Sequence, residues 1–236
     1  MTAPARRRAA RRPREERRSE ILDAAAKVFC ERGYQGAAMA EIANRLDLVE
    51  GAIYKHFETK RELLNRVLER WYERLHDETE RHLAGIRGDR ERLRYLVWRH
   101  LRALADDPQM CRLIFTEVRS EAAYLESELH RLNKRYTELL MGVLKGGVRS
   151  GAFRKAIAPA LVRDMIYGGI EHHVWGYLYG GRPLDADTLA DRIVDLVCEG
   201  IDRRAVAAEV DPQTERLAGL VSRLERTIKK TGGLGA

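Results

Sequence analysis

The sequence predicts an all-α chain in which three helices near the N-terminus are joined by one long helix to a larger helical bundle. Three observations predict it. Apolar residues recur at helical spacing from Ile21 onward, with no strand-like alternation between them. Gly33, Pro108 and Pro159 fall at the ends of these stretches, where a left-handed turn or a missing N–H is tolerated. No apolar run approaches the roughly 18 residues that a membrane span requires.

The elements follow in order. Ile21, Leu22, Ala25, Val28 and Phe29 form the stripe of a first helix that closes at Gly33, followed by a Tyr34-Gln35-Gly36 turn. Ile42 and Leu46 mark a short second helix from Met39, and Ile53 and Phe57 a third from Glu50. Thr59 and Glu62 have the spacing of a capping box, and Leu63, Leu64, Val67, Leu68, Trp71 and Leu75 carry a long fourth helix toward Leu83. Beyond Gly88 the chain reads as helices over 89–106, 108–118, 121–150, 158–180 and 186–206. A last segment places Leu217, Val221, Leu224 and Ile228 on a short coiled-coil-like seam, which either pairs across a dimer or docks on its own subunit.

Composition narrows the class. A chain of 236 residues with 44% hydrophobic content can bury a substantial core. The charged N-terminus has no apolar segment behind it, so the reading is cytoplasmic, with no membrane partner. Cys30, Cys111 and Cys198 show neither disulfide nor zinc spacing and read as buried free thiols. The net charge of +7 is concentrated at one end: residues 1–18 hold eight arginines against Glu15 and Glu16. Such a run beside Pro4 and Pro13 reads as a basic, disordered arm whose natural partner is a polyanion. From Ser19 to Lys60, acidic residues outnumber basic ones. The chain thus divides into an arm (1–18), a three-helix unit (19–64), a helical body (65–206) and a tail (207–236).

Two short helices meeting at a tight turn, propped on longer ones, form the corner that lays a helix in the major groove of double-stranded DNA. The string MAEIANRLDLVEGAIYKHFETKRELL, Met39 to Leu64, resembles the DNA-binding segment of the TetR family of bacterial repressors. Its markers are Ile42-Ala43, Gly51, Tyr54, His56-Phe57, Lys60 and Leu63. The resemblance implies an N-terminal helix-turn-helix DNA-binding domain joined by a long helix to a C-terminal helical ligand-binding and dimerisation domain. It implies phosphate contacts by Tyr54, His56 and Lys60, with Ile53 and Phe57 turned into the core. Gly51 lets the backbone approach DNA closely or serves helix packing. Glu50, Ala52 and Lys55 are the base-reading candidates, and Met39 is counted among the DNA contacts. Leu46, Asp47, Leu48 and Val49 stand where the family has Ala-Gly-Val-Ser, and Ala38 and Ala52 where Thr is common. An N-cap and two hydroxyl donors are thereby lost. The deficit puts weight on Arg11, Arg12, Arg14, Arg17 and Arg18, which are expected to track phosphates or enter a minor groove.

For the body, the resemblance implies an effector pocket and a two-fold interface on the last two helices of the core. Trp98, Phe115, Tyr124, Tyr136, Tyr167 and Trp175 are candidates to line the pocket, with Arg119, Arg131 and His172 as polar groups. Glu117, Arg119 and Glu121, with the helix carrying Arg131 and Tyr136, resemble the corresponding region of acyl-CoA-responsive members. An apolar effector with an anionic head would meet Arg119, Arg131 or Lys134 at the mouth, and drug-like or aromatic effectors fit nearly as well. Gly168, Gly169, His173, Gly176, Ile193, Leu196 and Val197 are the candidate dimer contacts. Adjacent Glu171, His172 and His173 do not have metal-ligand spacing, so no metal or cofactor is expected. The sequence carries no GxSxG, HExxH or P-loop motif, which favours a binding protein over an enzyme. The rival reading is a sequence-tolerant architectural DNA-binding protein that acts through its basic arm.

Overall fold

A computed structural model describes residues 14–201 together with positions 220, 221 and 223. Among these residues there are α-helices, short 3-10 and π turns, an isolated β-bridge at Phe153, and no β-strand. The helices are α1 (Arg14–Gly36), α2 (Met39–Asn44), α3 (Glu50–Tyr54), α4 (Lys60–Ala84), α5 (Asp89–Asp106), α6 (Pro108–Leu113), α7 (Glu128–Ser150), α8 (Pro159–Gly180) and α9 (Ala186–Ile201). Arg11, Arg12, Leu217, Leu224 and Ile228 lie outside the described residues. Val221 is described and exposed.

The stripe on α1 buries Ile21, Ala25, Val28 and Phe29 against Ile42, Ile53 and Phe57 and against Leu63 and Leu64 of α4. Gly33, at φ 68°, breaks the helical run in the left-handed region that glycine enters without steric cost. Thr59 Oγ1 accepts the Glu62 N–H at 3.0 Å, while Glu62 Oε2 accepts the Glu58 N–H at 2.7 Å. The carboxylate thus closes the capping box one residue earlier than the usual reciprocal bond. From this cap α4 runs unbroken across position 64, so the three-helix unit and the body share one rigid element.

The body is arranged around α5, which packs along α9 and α7, while α7 also packs on α4 and α8. Along the α5–α9 seam, Arg90 meets Asp195 at 2.5 Å, Arg94 meets Asp191, and Trp98 Nε1 donates to Asp187 at 2.8 Å. This four-residue periodicity zips the two helices on their outer side. In α7, Gly147 lies against the buried ring of Phe153, which a Cβ would meet at 2.2 Å.

Two elements differ from the sequence expectation. Helix α1 begins at Arg14, so Arg14, Arg17 and Arg18 belong to a helix rather than to the disordered arm. The predicted helix over 121–150 begins only at Glu128, where Ser127 accepts the His130 N–H at 3.1 Å. Before it, α6 widens into a π turn over Ile114–Val118, and a 3-10 turn covers Ala122–Glu126.

Candidate DNA interface and effector cavity

The corner between α2 and α3 is fixed from the α2 side. The Leu46 and Leu48 N–H groups both donate to Ala43 O at 3.0 Å, and Arg45 bridges the carboxylates of Glu31 and Glu41. Asp47 takes φ 52°, the left-handed conformation for which glycine is the usual residue. Val49 occupies the N-cap of α3 with no side-chain bond to the helix, and Asp47 does not cap in its stead. The recognition helix is therefore held by burial of Ile53 and Phe57 rather than by a cap.

Its outer face presents Glu50, Gly51 and Lys55 to solvent, with Tyr54 44% exposed and Ala52 half-buried. A Cβ on Gly51 would meet nothing within 4 Å, so packing between helices does not require glycine there. Met39 is corrected: it is 5% exposed and belongs to the core beneath α2. Lys60 is corrected as well. Its ammonium donates to Tyr34 O at 2.8 Å, Ala37 O at 2.9 Å and Gln35 O at 3.5 Å, and lies 4.6 Å from the Tyr34 ring centroid. An ammonium has three donors, and all three serve carbonyls just past the Gly33 kink, at the end of α1.

The start of α1 comes to the end of α3. Arg18 stacks over Phe57 at 4.7 Å and donates to His56 O at 3.4 Å, while Arg17 pairs with Glu20 at 3.0 Å and Arg14 is exposed. Burial, then the charges of Arg14, Arg18 and Arg17, lower the pKa of His56 below the usual imidazole value. The His56 ring is therefore neutral at pH 7, with a buried Nδ1 that has no hydrogen-bond partner. Three of the arginines that composition assigned to an arm, Arg14, Arg17 and Arg18, thus gather beside the recognition helix.

In the body, α5, α7, α8 and the turn after α6 enclose a cavity of about 400 Å³. His100 and Leu104 enter from α5, Phe115 and Arg119 from the turn, Lys134 and Thr137 from α7, and Tyr167 and Glu171 from α8. Arg119 Nη1 donates to Glu171 Oε2 at 2.6 Å, and its guanidinium stacks over Phe115 at 4.9 Å. His100 is set in the wall between the rings of Tyr136 (5.8 Å) and Tyr167 (4.8 Å). Desolvation by burial, then the Arg119 and Arg99 charges, push its pKa down to about 3. The ring is neutral, and its Nδ1 has no hydrogen-bond partner.

Of the predicted pocket residues, the fold brings Phe115, Arg119 and Tyr167 to this cavity, with Tyr136 buried behind His100 and Tyr124 edge-on to His130. Trp98 is corrected to the α5–α9 seam. Arg131 is corrected to an exposed pair with Glu128, one turn earlier on α7, and His172 to the exposed side of α8. Trp175 stacks on Phe115 at 6.0 Å but stays 45% exposed outside the cavity. Sequence reasoning missed His100, which carries no local motif; only its place on the inward side of α5 sets it there.

The segment around Arg119 faces two ways. Arg61, in the first turn of α4, donates to Glu117 O at 3.1 Å and pairs with Glu121 at 3.1 Å, while Gln35 reaches the Glu117 carboxylate at 3.4 Å. Between these two acidic residues, Arg119 turns into the cavity. A second concavity of about 430 Å³ lies between α8 and α9, lined by apolar side chains that include Met165, Ile170, Ile193, Leu196 and Val197. Gly169 and His173 also line it, Gly168 lies in open space on α8, and a Cβ on Gly176 would touch Arg182. Leu196 is 73% exposed and Met165 66%, an apolar surface left uncovered in a single chain.

An exposed short helix at a tight corner, linked by a long helix to a cavity-bearing bundle, defines a ligand-responsive DNA-binding regulator. Residues 21–67 match the family described as "Bacterial regulatory proteins, tetR family", and residues 67–200 match the "YsiA-like protein, C-terminal region". The chain belongs to the TetR family of bacterial transcriptional regulators. It is 30% identical over 190 residues to the HTH-type transcriptional repressor KstR2 of Rhodococcus jostii, covering 78% of this chain and 91% of that protein. It is also 30% identical over 196 residues to the HTH-type transcriptional activator FasR of Mycolicibacterium smegmatis, covering 83% and 87%. The crystal structure of the regulator FadR from Bacillus subtilis in complex with stearoyl-CoA superposes with TM-score 0.69 at 25% identity, covering 78% of this chain and 98% of that one. Among the described residues no helix is long and apolar enough to cross a membrane.

Proposed function

We propose that the chain is a cytoplasmic homodimeric repressor that grips a palindromic operator and releases it when an acyl-type effector, such as a fatty acyl-CoA, enters the cavity beside Arg119. The observation that carries this reading is the double-faced segment Glu117–Glu121. Arg119 is in the cavity wall, and Glu117 and Glu121 hold Arg61 at the root of α4, five residues beyond His56. A ligand that moves Arg119 pulls on the contact that sets the angle of the helix-turn-helix, and linkage makes the effect reciprocal. Glu50, Gly51, Ala52, Lys55 and Tyr54 enter the major groove, while Arg14, Arg17 and Arg18, with Arg11 and Arg12 ahead of them, engage phosphates near His56. The uncovered α8–α9 surface buries itself against its copy and pairs two recognition helices. The stearoyl-CoA complex of the Bacillus regulator supports the acyl class.

The test is selection of duplexes from a random-sequence pool by the protein, followed by titration with lauroyl-CoA and palmitoyl-CoA. The expected result is an enriched two-fold repeat and an affinity for it reduced at least tenfold by acyl-CoA. Enrichment without a repeat, or an affinity that neither compound changes, overturns the proposal.

A further inference from the structure

The effector cavity contains an ion pair that a purely apolar pocket does not need. Arg119 gives one N–H to Glu171 at 2.6 Å, while its Nε is buried without a partner. A guanidinium offers five donors in a planar fork suited to carboxylate and phosphate oxygens, and here it is only partly satisfied. Around it stand Lys134, whose ammonium has no partner among the described residues, and Arg163, which pairs with Asp164 at 2.8 Å and with Glu138 at 3.9 Å. Asp164 and Glu171 are the carboxylates of the lining, against the three cations Arg119, Lys134 and Arg163. His100 and His130 also face the space, and His100 is neutral. With Arg163 engaged by Asp164 and Glu138, and Arg119 by Glu171, the ammonium of Lys134 is the cation of the lining left to meet an incoming anion.

We propose that Glu171 holds the position of the effector's own anionic group on Arg119, and that a carboxylate or phosphate entering the cavity exchanges with it. The inference rests on the effector reading above and deepens it: the ligand is selected by one acidic head group, and the displaced residue sits on α8, one residue before His172 and two before the groove residue His173. Exchange keeps one ion pair at Arg119 before and after binding, so the half-buried guanidinium never loses its counter-charge. It frees Glu171 to swing toward solvent, where a carboxylate is well hydrated, and the loss of a neighbouring negative charge leaves Lys134 and Arg119 as a pair facing the ligand. A neutral ester or alcohol of the same chain length cannot make the exchange and meets an occupied Arg119.

The experiment uses the full chain as wild type, Glu171→Gln and Arg119→Gln, with binding measured calorimetrically for laurate, lauroyl-CoA and methyl laurate. With its competitor neutralised, E171Q binds laurate or lauroyl-CoA about tenfold more tightly, equivalent to about 1.4 kcal/mol, and methyl laurate within twofold of wild type. Which of the two acids gains tells a carboxylate head from the phosphates of a coenzyme. R119Q binds the acids no better than the ester. A second measurement needs no acyl chain: inorganic phosphate and acetate raise the Tm of E171Q more than that of wild type, and do not raise that of R119Q. If E171Q gains nothing for either acid, or gains equally for the ester, the exchange is refuted even where acyl-CoA releases DNA. If phosphate and acetate favour E171Q while no acyl compound releases DNA, the exchange stands and the acyl reading falls. Anions that stabilise all three variants equally refute the exchange.

Discussion

At the residue scale, the recognition helix works without the local aids that short helices usually have. Val49 stands 77% exposed at an N-cap position and offers no acceptor, and Asp47 carries a left-handed backbone. Each is a removable cost. Val49→Ser supplies a hydroxyl for the free N–H groups of α3, and Asp47→Gly relieves the left-handed residue, each by about 1 kcal/mol. In a chain of this size each substitution is expected to raise the Tm by about 2–4 °C in calorimetry; a fall in Tm for both would refute the strain account. These two positions were legible in the sequence, because cap and turn chemistry is local. Met39, Lys60, Trp98 and Arg131 were not. Met39 is set by burial in the core, and the other three by partners far along the chain or one turn away, such as the carbonyls of Tyr34 and Ala37 for Lys60 or Asp187 for Trp98.

At the element scale, helical periodicity recovered the principal helices, and the ends it missed have a common cause. The stretch from Ile114 to Glu126 keeps helical spacing of apolar residues, yet it forms a π turn and then a 3-10 turn. Periodicity near 3.6 does not separate these geometries from an α-helix. The cavity was legible only in part for the same reason: its walls come from residues between His100 and Glu171 on separate elements, and no short window contains them. Arg61 belongs to this scale too, since it joins α4 to the turn that carries Arg119. Arg61→Gln is expected to leave lauroyl-CoA affinity within twofold of wild type and to reduce the ligand-induced loss of DNA affinity by at least half, out of a coupling of about 1–3 kcal/mol. Paired DNA titrations with and without ligand measure it, and an unchanged ratio between the two affinities rules out the Glu117–Glu121 route.

At the scale of the whole molecule, α8 is apolar on more sides than its own bundle can cover. It buries Ile166, Ile170, Val174 and Leu178 inward, while Leu161, Met165, Trp175 and Tyr179 remain exposed. Apolar side chains left exposed on two faces of a helix are the kind of surface that an interface covers. Leu196→Glu, placed on α9 in the α8–α9 groove, is expected to halve the mass seen by light scattering and to weaken binding to a two-fold operator at least a hundredfold. Far-ultraviolet circular dichroism is expected to stay unchanged, which separates loss of pairing from loss of fold. A variant that keeps the wild-type mass would place the interface elsewhere.

The ammonium of Lys60 has a consequence for how the chain acquires its structure. The carbonyls it binds lie 26, 25 and 23 residues earlier, so the end of α1 past its kink at Gly33 is fastened by a residue that comes after both α2 and α3. Leu63 and Leu64, which cover Ile53 and Phe57, come later still. A chain emerging N-terminus first from the ribosome therefore cannot complete its helix-turn-helix from that unit alone. Until the first turns of α4 arrive, three carbonyls lack their donor and two large apolar side chains lack their cover. The same helix that closes this kinetic gap also connects the unit to the cavity, so the DNA-reading unit matures only once its lever is attached.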